Sequence, residues 1–235
     1  MIDTIYFDNW NTLVKAPGLM KRGSSTRIFK EYLGGQGFEV PDNFIDIYVL
    51  IAQAQNMKAE KDGHREPDYR QRLEDVFTEL GLPDPVEHSK GAWGHYLRKW
   101  PEQTEYFNGV PEMLADLKES YKLGIITNYM DGPTCRVVFE KLGYDAIFDS
   151  LVVSEELGYV KPAQILFETA LKETGSLPEN SVMVGDTFGA DVVGGNLAGM
   201  KTVLVDIYDN QHENYHEATA VISDIIEFPG ALRSL

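Results

Sequence analysis

Residues 182–206, VMVGDTFGADVVGGNLAGMKTVLVD, decide the fold. The apolar run Val182–Gly185 predicts a buried strand, and a turn carrying a carboxylate follows it. The segment Gly189–Gly199 has a helical pattern and leads into a second apolar strand, Thr202–Asp206. A strand, a helix and a strand in this order are typical of a βαβ unit, whose two strands lie parallel in one sheet.

The same alternation covers most of the chain outside this stretch. Further strands are predicted at Ile2–Phe7, Leu123–Thr127, Ser150–Ser154 and Ala220–Ser223, and helices at Pro111–Tyr121, Pro133–Leu142 and Ala163–Thr174. We therefore predict an α/β fold with a doubly wound parallel sheet. Residues 15–105 separate the first strand from the rest, and their apolar spacing is helical. This predicts a core of residues 1–14 and 106–235, interrupted by a helical domain at 15–105.

Composition excludes several classes of protein. The 235 residues carry 37 acidic and 21 basic side chains, a formal charge of −16, which disfavours binding to nucleic acid or an anionic membrane. One cysteine, Cys135, excludes an intramolecular disulfide framework and a cysteine-rich zinc site. No apolar run approaches the roughly 18 residues of a membrane span, and the N-terminus lacks a secretory pattern. We expect a cytoplasmic protein without a nucleic-acid or membrane partner.

Polar side chains that could bind a ligand or take part in catalysis follow the predicted strands. Because the carboxyl ends of parallel strands meet at one edge of a sheet, we expect these side chains to share one crevice. They are Asp8, Thr127, Asn128, Lys161, Asp186 and Asp191. Clustered carboxylates with few cations predict a divalent ion bound through oxygens, most simply Mg²⁺. A lysine and a hydroxyl suit phosphoryl oxygens, and a carboxylate at the rim can attack phosphorus to form an aspartyl-phosphate.

These residues, in this order, resemble the four motifs of the haloacid dehalogenase superfamily hydrolases. The motifs are Asp8 to Thr12, Thr127-Asn128, Lys161-Pro162, and Gly185-Asp186-Thr187 through Asp191. The resemblance covers essentially the whole chain. It implies a Rossmann-like catalytic core with a helical, C1-type cap inserted between the first and second motifs, which agrees with the insert located from periodicity.

The resemblance also implies a role for each residue. Asp8 would be the nucleophile and a metal ligand, and the backbone carbonyl of Trp10 a second ligand. Thr127 would bind the phosphoryl group with help from the Asn128 amide, and Lys161 would stabilise the charge. Asp186 and Asp191 would complete the Mg²⁺ site, Asp191 through water or by orienting Lys161.

One position departs from the pattern of the family's phosphatases. They carry an aspartate two residues after the nucleophile, which protonates the leaving oxygen and then activates water. Here that residue is Trp10, which cannot transfer protons. Asp131 and Glu155 lie near strand ends and are alternative proton donors without a geometric argument behind them. Asn11 stands where glycine is usual, and asparagine tolerates a positive φ.

Trp10 and the Gly185-Asp186 pair therefore indicate different reactions. Haloacid dehalogenases have an aromatic residue at the position of Trp10 and need no metal, whereas Gly185-Asp186 is the metal-binding form of the last motif. We expect a Mg²⁺-dependent phosphohydrolase acting on a small phosphorylated metabolite through Asp8. The alternatives are a 2-haloacid dehalogenase and a binding or regulatory homologue with little turnover. Basic residues between Lys58 and Arg65 suit an anionic substrate, and the chain is expected to be a monomer or homodimer.

Overall fold

A computed structural model describes residues 1–21, 23–207 and 215–235. The chain divides into two compact units. One comprises Met1–Lys15 with Glu105–Leu235, and the other comprises Ala16–Thr104. Within the described residues, no helix is both long and apolar enough to cross a membrane.

The first unit is built on a parallel sheet. Its strands, in chain order, are β1 (Thr4–Phe7), β2 (Val14–Lys15), β3 (Glu105–Tyr106), β4 (Lys122–Thr127), β5 (Ser150–Val153), β6 (Ser181–Gly185), β7 (Lys201–Val205) and β8 (Ala220–Ile222). Six of them form one sheet in the order β5-β4-β1-β6-β7-β8, and every pairing in it is parallel. The short strands β2 and β3 pair antiparallel where the chain leaves and re-enters this unit.

The apolar character of the central strands explains this sheet. All four residues of β1 and all five of β6 are buried, as expected for strands covered on both faces. Strand β1 is central, with β4 on one side and β6 on the other. The chain order reverses across β1, so the carboxyl ends of these three strands border the crevice where ligands bind in such sheets.

The second unit is helical. It contains α1 (Ser24–Gly35), α2 (Phe44–Lys61), α3 (Tyr69–Glu79), α4 (Pro85–Leu97) and α5 (Lys99–Gln103). The Asp68 carboxylate accepts a hydrogen bond from the Gln71 amide and so caps α3. Buried aromatic residues, among them Phe29, Phe77 and Trp93, form the interior of this unit.

The remaining helices flank the sheet of the first unit. They are α6 (Val110–Lys118), α7 (Gly132–Leu142), α8 (Tyr144–Ile147), α9 (Ser154–Leu157), α10 (Gln164–Thr174), α11 (Val193–Leu197) and α12 (Phe228–Leu232). Leu166, Phe167 and Ala170 of α10 pack with Tyr6 and Met183 in a fully buried cluster. The predicted α/β class with a Rossmann-like parallel sheet is confirmed.

The helix predicted over Gly189–Gly199 differs in detail. Residues Phe188–Val192 form a single π-helical turn, and only Val193–Leu197 are α-helical. The Asp191 carboxylate accepts a hydrogen bond from the Thr187 amide at 2.9 Å, and its own amide donates to the Thr187 carbonyl. Single π-helical turns of this kind occur often at functional sites.

The packing of Tyr6 against Gly124 generates a stability prediction. A Cβ at Gly124 would lie 2.6 Å from the Tyr6 ring. That ring is fully buried, and its hydroxyl shares a 2.5 Å hydrogen bond with Thr174, so it has little room to move. We expect Gly124→Ala to lower the free energy of unfolding by about 1–3 kcal/mol, measured by urea denaturation.

Gly34 of α1 provides the matched control, because a Cβ there meets no atom within 4 Å. Gly34→Ala should leave stability unchanged or raise it by up to about 1 kcal/mol. An equal effect of the two substitutions would contradict the packing argument.

Candidate active site

A small cavity lies at the carboxyl ends of the central strands of the first unit. Its volume is about 170 Å³. The lining residues are Asp8, Trp10, Asn11, Asn128, Lys161, Asp186, Thr187, Ala190 and Asp191. Six of the seven site residues singled out from the sequence therefore meet here.

The seventh, Thr127, is the last residue of β4 and does not line this cavity. It is fully buried, and its hydroxyl has no hydrogen-bond partner among the described residues. Burying an unsatisfied hydroxyl is unfavourable, so this atom is available to a ligand oxygen that reaches it.

Lys161 is the centre of the hydrogen bonding in this cavity. Its ammonium donates to Asp8 Oδ1 and Asp191 Oδ1, each at 2.6 Å, and to the carbonyl of Ile126 at 2.7 Å. These three bonds use all three N–H groups. Only 4% of the residue is exposed, so solvent contributes little to holding this charge.

The backbone fixes both ends of the Lys161–Asp8 pair. The Asp8 amide donates to the Val184 carbonyl of β6 at 2.8 Å, which places its carboxylate directly after β1. The Lys161 amide donates to the side-chain oxygen of Asn128 at 2.7 Å. The side chain of Asn128, in the loop after β4, thus positions the lysine. The family resemblance implies a role only for the backbone amide of Asn128.

Three carboxylates converge beside this lysine. Asp8, Asp186 and Asp191 each offer one oxygen, and these oxygens all lie within 4.8 Å of one another. Burial raises the pKa of Asp8 to about 6, and the negative charge of Asp191 acts in the same direction. The positive charge of Lys161 lowers the pKa but offsets these two effects only in part. Burial, together with the charges of Asp8 and Asp191, raises the pKa of Asp186 to about 7. One ammonium is thus too little positive charge for three ionised carboxylates.

This cluster fits a hard divalent cation. Carboxylate oxygens are the ligands that Mg²⁺ prefers, and binding requires the ionised form, which the raised pKa values otherwise disfavour. The residues available to hold the ion are Asp8, Asp186 and Asp191, together with the Trp10 backbone carbonyl that the resemblance implies.

The loop after β1 places Trp10 in the wall of the cavity. Asn11 has φ 62°, the left-handed conformation anticipated for an asparagine in the usual glycine position. The amides of Leu13 and Val14 both donate to the Asn9 carbonyl and close the loop. Trp10 is 8% exposed, and its ring stacks on that of Tyr129 with centroids 5.0 Å apart.

Sequence reasoning missed several residues that support this loop. Tyr129 follows the Thr127-Asn128 motif directly, and that position is the only sequence signal that it belongs to the site. The Tyr144 hydroxyl donates to the side-chain oxygen of Asn9 at 2.6 Å. Because 135 positions separate these two residues, no local pattern indicates their contact.

Asp131 and Glu155, the two alternative proton donors, form hydrogen bonds with backbone amides of α7. Asp131 accepts from the amide of Thr134 at 2.9 Å and caps the helix. Glu155 accepts from the amide of Gly132 at 3.0 Å. Neither residue lines the cavity.

Lys58 and Arg65, named as candidates for substrate binding, line a separate cavity of about 590 Å³ within the helical unit.

The chain is similar to several characterised proteins. A glyceraldehyde 3-phosphate phosphatase from Methanothermobacter thermautotrophicus is 40% identical over 124 residues, which are 51% of this chain and only 50% of the relative. A ribulose-1,5-bisphosphate 5-phosphatase from Halopiger xanaduensis is 28% identical over 216 residues, 88% of this chain and 85% of the relative.

A solved structure shares the fold over the full length. It is a 2-haloacid dehalogenase from Pseudomonas syringae pv. Tomato DC3000, with a TM-score of 0.78 and 21% identity over 100% of this chain and 99% of that one. Residues 48–205 match the family described as haloacid dehalogenase-like hydrolase. The match spans more than half of the chain, so the protein belongs to this family and is a hydrolase, as the sequence resemblance indicated.

Proposed function

We propose that the protein is a Mg²⁺-dependent phosphohydrolase that acts on a small phosphorylated metabolite through Asp8. The observation that carries this proposal is the buried Asp8 carboxylate, bound to Lys161 and facing a cavity with two further carboxylates. A site that needs additional positive charge suits a metal-assisted phosphoryl transfer. The two relatives described above, both phosphatases whose names specify small phosphorylated substrates, support the same chemistry.

The residues of this chain divide the reaction between them. A carboxylate oxygen of Asp8 attacks phosphorus, the bond to the leaving oxygen breaks, and an aspartyl-phosphate results. Lys161 neutralises charge on the nucleophile and on the phosphoryl oxygens. The Thr127 hydroxyl and the Asn128 backbone amide donate to those oxygens. Water then cleaves the acyl phosphate, which releases inorganic phosphate and restores Asp8.

The part of Mg²⁺ in this reaction would be to neutralise negative charge. Mg²⁺ would be held by Asp8, Asp186, Asp191 and the Trp10 carbonyl, and would neutralise negative charge on the carboxylates and the transferring group. The helical unit, residues 16–104, is proposed to act as the cap that selects substrates.

A second candidate function is carbon–halogen hydrolysis through the same Asp8. The specific observation in its favour is Trp10, an aromatic wall residue at the position where dehalogenases of this superfamily have one. This reaction needs no proton donor for the leaving halide and no metal. Halide release from a 2-haloacid in EDTA, without turnover of any phosphate ester, would replace the first proposal with this one.

The nucleophile is tested by Asp8→Asn. The amide keeps the shape of the side chain but does not attack phosphorus, so Mg²⁺-dependent hydrolysis of 4-nitrophenyl phosphate should fall by roughly 10⁴-fold or more. Turnover is measured with Mg²⁺ and with EDTA, and should require the metal.

Asp145→Asn is the matched control, because Asp145 is exposed on α8. It should retain full activity. An undiminished rate in Asp8→Asn would rule out the covalent mechanism.

The metal site is tested by Asp186→Asn, read out as thermal stability. The folded-state pKa of Asp186 is raised to about 7, so the wild type loses stability as pH rises through that value. In EDTA above pH 7, the variant should therefore melt at a higher temperature than the wild type. The gain should shrink as pH falls below that value, because Asp186 is then protonated in the wild type as well.

Added Mg²⁺ should reverse the order of the two proteins. The wild type gains stability by binding the ion, and the variant, which lacks one ligand, gains less. If Asp186→Asn is less stable than the wild type in EDTA at high pH, the charge argument for this site is wrong.

A further inference from the structure

Three of the four ionisable side chains that line the cavity are hydrogen-bonded to one another, since Lys161 donates to both Asp8 and Asp191. Each N–H of Lys161 has an acceptor within 2.7 Å. The two oxygens of Asp191 accept from Lys161 and from the Thr187 amide. In the proposed reaction Asp8 is the nucleophile and Asp186 holds the cation, so both are committed to other roles.

The two acidic side chains that the sequence offers as alternative proton donors lie outside the cavity lining. Asp131 and Glu155 accept hydrogen bonds from amides at the first turn of α7. The wall next to Asp8 is an indole, since Trp10 lines the cavity and stacks on Tyr129. An indole carries a donor that does not ionise under ordinary conditions. Among the described residues that line the cavity, every ionisable side chain therefore has another role, and none is left to protonate the leaving oxygen.

From this we infer a substrate class: phosphoryl compounds whose leaving group departs as a weakly basic anion, without protonation. Acyl phosphates, phosphoanhydrides, enol phosphates and the phosphate esters of acidic phenols share this chemistry. The inference rests on the proposed function and narrows it.

The step balances without a proton donor. The Asp8 oxygen forms its bond to phosphorus as the bond between phosphorus and the leaving oxygen breaks, and that oxygen keeps the electron pair. A carboxylate, phosphate or phenolate leaves as the anion. In the second step, water attacks phosphorus, the bond to Asp8 breaks, and the proton of the water passes to the released phosphate or to solvent.

Alkyl phosphates are disfavoured by the same argument. An alkoxide is strongly basic, so its departure depends on a proton supplied in the transition state. Positioned acid–base groups typically contribute about 10²–10⁴-fold to rate. A site without one should lose about that factor on alkyl esters relative to esters with good leaving groups.

The test is a leaving-group series on the wild-type protein with Mg²⁺. The substrates are dinitrophenyl, 4-nitrophenyl and phenyl phosphate, with acetyl phosphate and glycerol 3-phosphate added as an acyl and an alkyl compound. The measured quantity is kcat/KM, because it includes steps only up to release of the leaving group. We expect it to fall about 10²–10⁴-fold from the dinitrophenyl to the phenyl ester, and further for glycerol 3-phosphate.

A flat series would overturn the inference while leaving the phosphohydrolase intact, because it would mean that a proton reaches the leaving oxygen from elsewhere. No turnover of any compound would overturn the proposed function and this inference with it.

A pair of variants checks the assignment of the effect to Trp10. Trp10→Asp places a carboxyl group beside the nucleophile, and Trp10→Asn is its matched control with the same shape and no acid. Trp10→Asp should flatten the leaving-group dependence and raise kcat/KM for glycerol 3-phosphate, whereas Trp10→Asn should keep the steep dependence. If both variants flatten it equally, proton transfer is not the cause and the inference fails. If both fail to fold, the wild-type series alone decides.

Discussion

The buried ammonium of Lys161 is the interaction on which the site depends. It connects three distant parts of the chain, because Asp8 follows β1, Asp191 lies in the π-helical turn after β6, and the lysine precedes α10. Burying these charges costs several kcal/mol per ion, which good geometry and complete hydrogen bonding must offset. The three short bonds of Lys161 meet that requirement, and the order of the sheet makes them possible by placing β1 between β4 and β6.

One positive charge does not balance three carboxylates, and this imbalance sets the chemistry. Burial, reinforced by the repulsion between the carboxylates, raises the pKa of Asp8 and of Asp186. The same imbalance makes the cluster a good match for a divalent cation. Structural stability alone would favour neutral side chains here, so the cluster is better understood as a site adapted to a ligand than as a feature that stabilises the fold.

Trp10 brings an aromatic ring that cannot transfer protons into the lining of this cavity. Its indole forms a wall of the cavity and is held by stacking on Tyr129. The fold is shared with a 2-haloacid dehalogenase, whereas the similar sequences include phosphatases. Since one fold supports several reactions, the side chains of the site have to discriminate between them. Here a cluster of three carboxylates and the aromatic ring of Trp10 line the same cavity.

The sequence by itself determined the parallel α/β fold and the strand ends that carry Asp8, Thr127 and Asp186, because buried strands and the turns after them have strong local signals. It also showed that Trp10 cannot transfer a proton, which follows from residue type alone. Only the tertiary structure decided that Lys161 contacts Asp8 and Asp191, that Asp131 and Glu155 bond to α7, and that Tyr129 supports Trp10. These facts depend on side-chain directions and on contacts between residues far apart in the chain, and no local pattern of amino acids encodes them.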